Sequence, residues 1–164
     1  ISLEKSPIIP GTARYQVYCR DANEIIGEHS VDVVYADPPY TKRQYSAYYH
    51  ILETICRYDH PQLFGNTGLR RWQDNSSDYC YRRKAPRALQ DLISKAKCKY
   101  FVLSYNNEGQ IDHENIINIM ERYGDVTVFE TPYRRYKSNS LHQRDNQVIE
   151  RLYVLKMRQV HAAN

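Results

Sequence analysis

No two cysteines of the chain stand at metal-ligand spacing. Cys19, Cys56, Cys80 and Cys98 are far apart, with no Cys-x-x-Cys pair and no histidines at ligand spacing, so neither a zinc site nor a disulfide framework is indicated. Reduced thiols in a cytoplasmic protein are expected. No apolar run approaches the roughly 20 residues of a membrane span, and Ile1-Ser2-Leu3-Glu4-Lys5 is not a signal peptide, which excludes a membrane partner from the expectation. An initiating Met is missing as well, which fits a fragment. There is no internal repeat and no low-complexity segment. Nor is charge of one sign in large excess: 23 Lys and Arg against 19 Asp and Glu give only +4. That balance does not by itself mark a nucleic-acid binder, so the distribution of charge has to carry the argument.

What is present is one domain's worth of globular material: 164 residues, 41% hydrophobic and 26% charged. Sixteen tyrosines are the unusual feature. They offer stacking faces and hydroxyls suited to nucleic acid, although half-buried strand and helix positions account for most of them. The chain is organised around Val31-Asp32-Val33-Val34-Tyr35-Ala36-Asp37-Pro38-Pro39-Tyr40. Its apolar run without clean alternation suits a strand covered on both faces of a parallel sheet. Pro38 and Pro39 donate no ladder hydrogen bond and restrict the residue before each of them, so the strand stops and Asp37 is held extended at its carboxyl end, where open α/β sheets place their ligands. Asp37, the Pro38 carbonyl and the Tyr40 ring then form a rigid acceptor set that fits a flat ring bearing an amino group, as in enzymes acting on an extruded base. An ordinary strand end with a proline turn is the plain alternative.

Asp37-Pro38-Pro39-Tyr40 after an apolar strand resembles the DPPY signature of the Dam-like adenine-N6 DNA methyltransferases, which use S-adenosylmethionine. The segments Tyr45–Ile55, Tyr100–Gly109 and Val148–Leu155 are similar to the same family, so the resemblance covers roughly positions 15 to 156. It implies an α/β fold: a partial Rossmann-like methyltransferase sheet of parallel strands closed by a C-terminal antiparallel hairpin. It also implies catalytic roles for Asp37, Pro38, Pro39 and Tyr40, and contacts of Asp21 and Asp37 with the cofactor. One departure stands out. The family's Phe-x-Gly-x-Gly cofactor loop is not found before Val31, where the only glycines are Gly11 and Gly27. The chain therefore resembles the carboxyl-terminal portion of such an enzyme. In the implied topology the strand ending in the signature lies beside the one that delivers the glycine loop. Its edge is then expected to be filled by the missing N-terminal half, a second chain, or a rearrangement of residues 1 to 20, and the isolated chain to bind S-adenosylmethionine weakly or not at all.

Residues 1–13 read as a loose lead-in and 14–158 as the catalytic domain, with a tail from 159. Arg14–Cys19 alternates as a strand, and Asp21 is a candidate N-cap as well as a cofactor contact. Lys42 and Arg43 could hold a phosphate beside the base or be ordinary solvated charges. Ser46 can cap a helix whose Tyr48, Leu52 and Ile55 cover the sheet. Residues 58–84 interleave Arg70, Arg71, Arg82, Arg83 and Lys84 with aromatics in a stretch too long for a plain connection. They read as a DNA-facing insertion or as a partly disordered one. Ala85–Cys98 is a helix with Leu89, Leu92, Ile93 and Ala96 on one face, and Lys99–Tyr105 is a second buried strand. If that strand is parallel to the first, Asn106–Gly109 lies on the rim of the same site. Asp112 caps a helix that Gly124 would end, and a last hairpin carries Arg134, Arg135, Lys137 and Arg144 toward double-stranded DNA. No metal is required. Two rivals remain: a noncatalytic nucleic-acid-binding remnant of the fold, and a metal-dependent nuclease using Asp37 with Glu53 or Asp59.

Overall fold

A computed structural model describes residues 10–134 and 147–158. Its centre is a four-stranded sheet in the spatial order β1-β4-β6-β5, made of β1 (Ser30–Ala36), β4 (Lys97–Asn106), β5 (Gly124–Arg134) and β6 (Gln147–Met157). β1 and β4 run parallel, with Ala36 opposite Leu103, while β6 is antiparallel to both β4 and β5. The expected mixed α/β sheet with a C-terminal antiparallel hairpin is therefore present. β1, β4 and β5 all deliver their carboxyl ends to one edge, and β6 begins there.

Two helices cover one face of the sheet. α4 (Ala85–Lys95) begins with Pro86 in its first turn, where a missing N–H costs nothing, and turns Leu89, Leu92 and Ile93 inward. α5 (His113–Met120) is capped by Asp112, whose carboxylate accepts from Asn115 N–H at 2.9 Å, and buries Ile116, Ile119 and Met120. Against them lie Phe101, Leu103, Tyr105, Tyr153 and Leu155, all essentially inaccessible. Each such side chain contributes roughly 1.5–3 kcal/mol by leaving water.

The opposite face is bare among the described residues. Val31, Val33 and Tyr35 of β1, Tyr100 of β4 and Phe129 of β5 share it and stay exposed, Tyr35 at 62%. The outer edge of β1 has no partner strand there either. The strand expected to be covered on both faces is thus covered on one face by the described residues: pattern reports that a strand is apolar, whereas cover requires a second layer. The same reason corrects Arg14–Cys19, which is not a strand. Val17 is 94% exposed and residues 10–20 neither pair with β1 nor fill its edge.

Three further boundaries differ. The helix expected after Ser46 is two pieces, α2 (Tyr45–Tyr48) and α3 (His50–Arg57), with Gln44 at the N-cap position. Its apolar residues do not cover the sheet: Tyr48, Leu52 and Ile55 are exposed, Ile55 at 65%. The helix expected to reach Cys98 stops at Lys95, and Cys98 already belongs to β4. Gly124 is not a helix C-cap. α5 ends at Met120 and Gly124 opens β5, where a Cβ would meet the Lys156 carbonyl oxygen at 1.9 Å. Among the described residues no helix is long and apolar enough to cross a membrane.

Candidate active site at the carboxyl edge of the sheet

β1 ends at Ala36, so Asp37 is the first residue past the sheet and Pro38-Pro39-Tyr40 continues as irregular chain. Among the described residues, neither the exposed Asp37 carboxylate nor the Pro38 carbonyl receives a hydrogen bond. Both acceptors are thus free at the edge where three strands finish. Tyr40 is half-buried. Burial pushes its hydroxyl up from the ordinary tyrosine value, and the carboxylates of Glu150 and Asp37 add to the shift. Its ring leans on that of Tyr105, with centroids 5.3 Å apart at 56°.

The turn is braced from two sides. On one side the end of β4 folds back over Tyr105, and Gln110 N–H donates to the Tyr40 carbonyl at 2.9 Å. Asn106 accepts from Glu108 N–H at 3.0 Å and donates to the Glu150 carboxylate at 3.3 Å. The residues 106–109 expected at the rim do lie there, because β1 and β4 are parallel. On the other side Gln44, 7% exposed, exchanges two hydrogen bonds with Ser77: its amide donates to the Ser77 carbonyl (3.1 Å) and its oxygen accepts from Ser77 N–H (2.7 Å). Ser46 donates to the Trp72 carbonyl (3.3 Å), and the buried Cys80 thiol lies under the Arg43 carbonyl (3.4 Å). Burial pushes that thiol up. The stretch 72–84 packs against the turn, with Tyr79 buried and bonded to Asn23 at 2.9 Å. Gln44, Ser77, Cys80 and Tyr105 were not singled out from sequence as parts of the site, and nothing in their spacing announces them.

The other anticipated residues separate into several groups. Asp21 caps the short helix α1 (Ala22–Ile25) by accepting from Asn23 N–H at 2.8 Å. Lys42 and Arg43 are exposed beside the turn, with the Arg43 guanidinium 5.0 Å from the Tyr48 ring centroid. Arg70 is not a free cation. Its side chain is 14% exposed and held by Asp59 at 2.6 and 2.7 Å, which braces the small hairpin of β2 (Leu63–Phe64) and β3 (Leu69–Arg70). Arg71 pairs with Asp74 in the open. Arg135, Lys137 and Arg144 lie outside the described residues, and Arg134 closes the β5–β6 ladder opposite Gln147. That ladder runs three pairs beyond the last β4–β6 pair, so the hairpin extends from the same edge as Asp37.

The unpartnered carboxylate and carbonyl can accept two N–H bonds, and the Tyr40 ring beside them can stack on a flat group. Two clefts among the described residues, of about 440 and 340 Å³, lie at the opposite edge around Lys99 and Asp32. As for the nuclease alternative, Glu53 is engaged by Arg57 and Asp59 by Arg70, and no group of three metal-ligating side chains occurs among the described residues.

Fold and site together define an α/β protein of the methyltransferase type, with an acceptor turn at the carboxyl end of a parallel strand. Residues 8–119 match the model of the D12 class N6 adenine-specific DNA methyltransferases, and the chain belongs to that family. It is similar to modification methylase StsI of Streptococcus sanguinis (35% identity, covering 95% of this chain and 24% of that protein). It is likewise similar to the type II methyltransferase M.NlaIII of Neisseria lactamica (38%, covering 95% and 47%). The type II methyltransferase M.FokI of Planomicrobium okeanokoites is 40% identical, with 75% and 20% covered. The chain thus spans from a fifth to just under half of the length of these relatives. No solved structure matches.

Proposed function

We propose that this chain is the adenine-binding portion of a site-specific DNA methyltransferase of a restriction-modification system, which methylates N6 of an adenine extruded from double-stranded DNA. The observation that carries the reading is the pair of unpartnered acceptors, Asp37 and the Pro38 carbonyl, beside the Tyr40 ring. They accept the two amino hydrogens of the flipped base, and Tyr40 stacks on its ring. As the amine nitrogen bonds to the incoming methyl group it becomes positive, so acceptors fixed in place bind the transition state more strongly than the substrate. Orientation supplies the rest, with no covalent enzyme intermediate.

S-adenosylmethionine supplies the electrophilic methyl group. Asp37 and Asp21 form one wall of its site, and further polypeptide, either more of the same protein or a second chain, forms the rest. The bare sheet face and the open edge of β1 support that division. Lys42, Arg43, Arg71 and the hairpin residues Arg134, Arg135, Lys137 and Arg144 contact phosphates, which position the duplex without reading its sequence.

The test is methyl transfer from S-adenosylmethionine into plasmid DNA by the full-length protein, read as N6-methyladenine. Asp37→Ala is expected to lower turnover by about a hundredfold or more, the usual loss for one preorganised group, while leaving the fold intact. Near-normal turnover would remove Asp37 from the mechanism. A wild-type protein that binds DNA but never methylates it would be a noncatalytic scaffold.

A further inference from the structure

We infer that Tyr105 is a positioning residue for methyl transfer, which aims the Tyr40 ring at the flipped adenine through a loop that closes only because residue 109 is glycine. The inference rests on the reading that Tyr40 stacks on the base. Tyr105 is 1% exposed, so its ring presents almost no open surface. Its ring instead backs that of Tyr40, and its hydroxyl accepts from Ile111 N–H at 3.1 Å. The residue immediately before Ile111, Gln110, donates to the Tyr40 carbonyl. Tyr40 is therefore gripped at ring and backbone by the end of a different strand, and both grips depend on the path of residues 108–111 around the Tyr105 phenol.

Gly109 sets that path. A Cβ there would lie 2.2 Å from Tyr105 Cε1 and 2.6 Å from Cζ. Any side chain must displace either the phenol or the loop, and either movement releases Tyr40. Prolines 38 and 39 stiffen the approach to Tyr40 but leave its ring free to rotate about its own side-chain torsions. Stacking is sensitive to that rotation, because attraction between flat rings requires a narrow range of offset and tilt. The packed partner behind Tyr40 removes the freedom before the base arrives.

A double-mutant cycle on the full-length protein tests this, with plasmid DNA and S-adenosylmethionine as the probes. Tyr105→Phe keeps the ring and removes the hydroxyl that holds Ile111. Gly109→Ala forces the clash. Each is expected to raise the apparent KM for DNA or lower kcat/KM for it, by about threefold for Tyr105→Phe and about tenfold or more for Gly109→Ala, with the KM for S-adenosylmethionine unchanged. In a Tyr40→Ala background both effects are expected to shrink to within about twofold, because residues acting through one partner are not additive. Additive losses, or a parallel rise in the KM for the cofactor, would overturn the inference and leave Tyr105 a core residue. If Gly109→Ala does not fold, Tyr105→Phe decides the matter alone. Failure of the wild-type protein to methylate DNA at all would instead fail the reading on which the inference stands.

Discussion

The two-way bond between Gln44 and Ser77 allows a quantitative prediction. Gln44 directly follows the exposed pair Lys42-Arg43 after the acceptor turn, yet it is almost fully buried and satisfies both the N–H and the carbonyl of Ser77. Replacing it with Ala removes two hydrogen bonds whose net contribution is roughly 0.5–1.5 kcal/mol each. It also strands the Ser77 N–H, the carbonyl keeping only the Cys80 N–H at 3.2 Å, so the local cost comes to roughly 2–3 kcal/mol. Since about 1.4 kcal/mol is a factor of ten, opening of the 76–80 segment should rise by roughly 30- to 150-fold. Amide hydrogen exchange at Ser77 reads this directly, because that N–H is protected by Gln44 alone among the described residues. Gln44→Glu is a sharper variant. Its carboxylate still accepts from Ser77 N–H, but its second oxygen faces the Ser77 carbonyl without a proton. Protection should be lost at neutral pH and recover as acid protonates the carboxyl and restores a donor. An exchange rate within about threefold of wild type for Gln44→Ala, or full protection in Gln44→Glu at neutral pH, would refute the claim that this amide fixes the 72–84 stretch to the turn.

Other consequences can be checked separately. Tyr40→Ala should weaken methyl transfer by the value of one stacked base, roughly 1–3 kcal/mol, whereas Tyr40→Phe should be tolerated; equal damage from both in a turnover assay would point to the hydroxyl instead of the ring. Gly124→Ala should destabilise the full-length protein by several kcal/mol or prevent its folding, since a Cβ cannot coexist with the Lys156 carbonyl at 1.9 Å; a denaturation midpoint close to wild type would show that β5 and β6 can separate at little cost. Hydrogen bonds from Asn115, the backbone N–H foremost, hold Asp112 below its ordinary value of 3.8. A carboxylate lowered in the folded state stabilises above its unfolded value and loses that contribution as pH falls through the folded one. Asp112→Ala should therefore cost about 1 kcal/mol at neutral pH, with the difference from wild type vanishing well below pH 3.8; a pH-independent difference in unfolding experiments would dismiss the cap.

What the sequence by itself determined is whatever depends on neighbours along the chain. The valines and prolines of 31–40 dictate a strand and the place where it must stop. The spacing of Leu89, Leu92 and Ile93 orients α4, Asp112 caps α5, and the two apolar runs at 126–131 and 147–156 pair as a hairpin. The acceptor set Asp37, Pro38 and Tyr40 was legible for the same reason, since proline stiffness is local. Tertiary structure decided whatever depends on residues distant in sequence. Alternation in Arg14–Cys19 marks strand propensity, but a strand needs a hydrogen-bonded neighbour and none is there among the described residues. The apolar stripe of α3 states which side avoids water and not what covers it, and the described residues leave it open. Arg70 reads as a surface cation until Asp59, eleven positions away, is folded against it. The braces of the site lie further apart still: Gln44 meets Ser77 across 33 positions and Tyr105 reaches Tyr40 across 65. Such contacts carry no local pattern, because their free energy comes from groups that only the folded chain brings together.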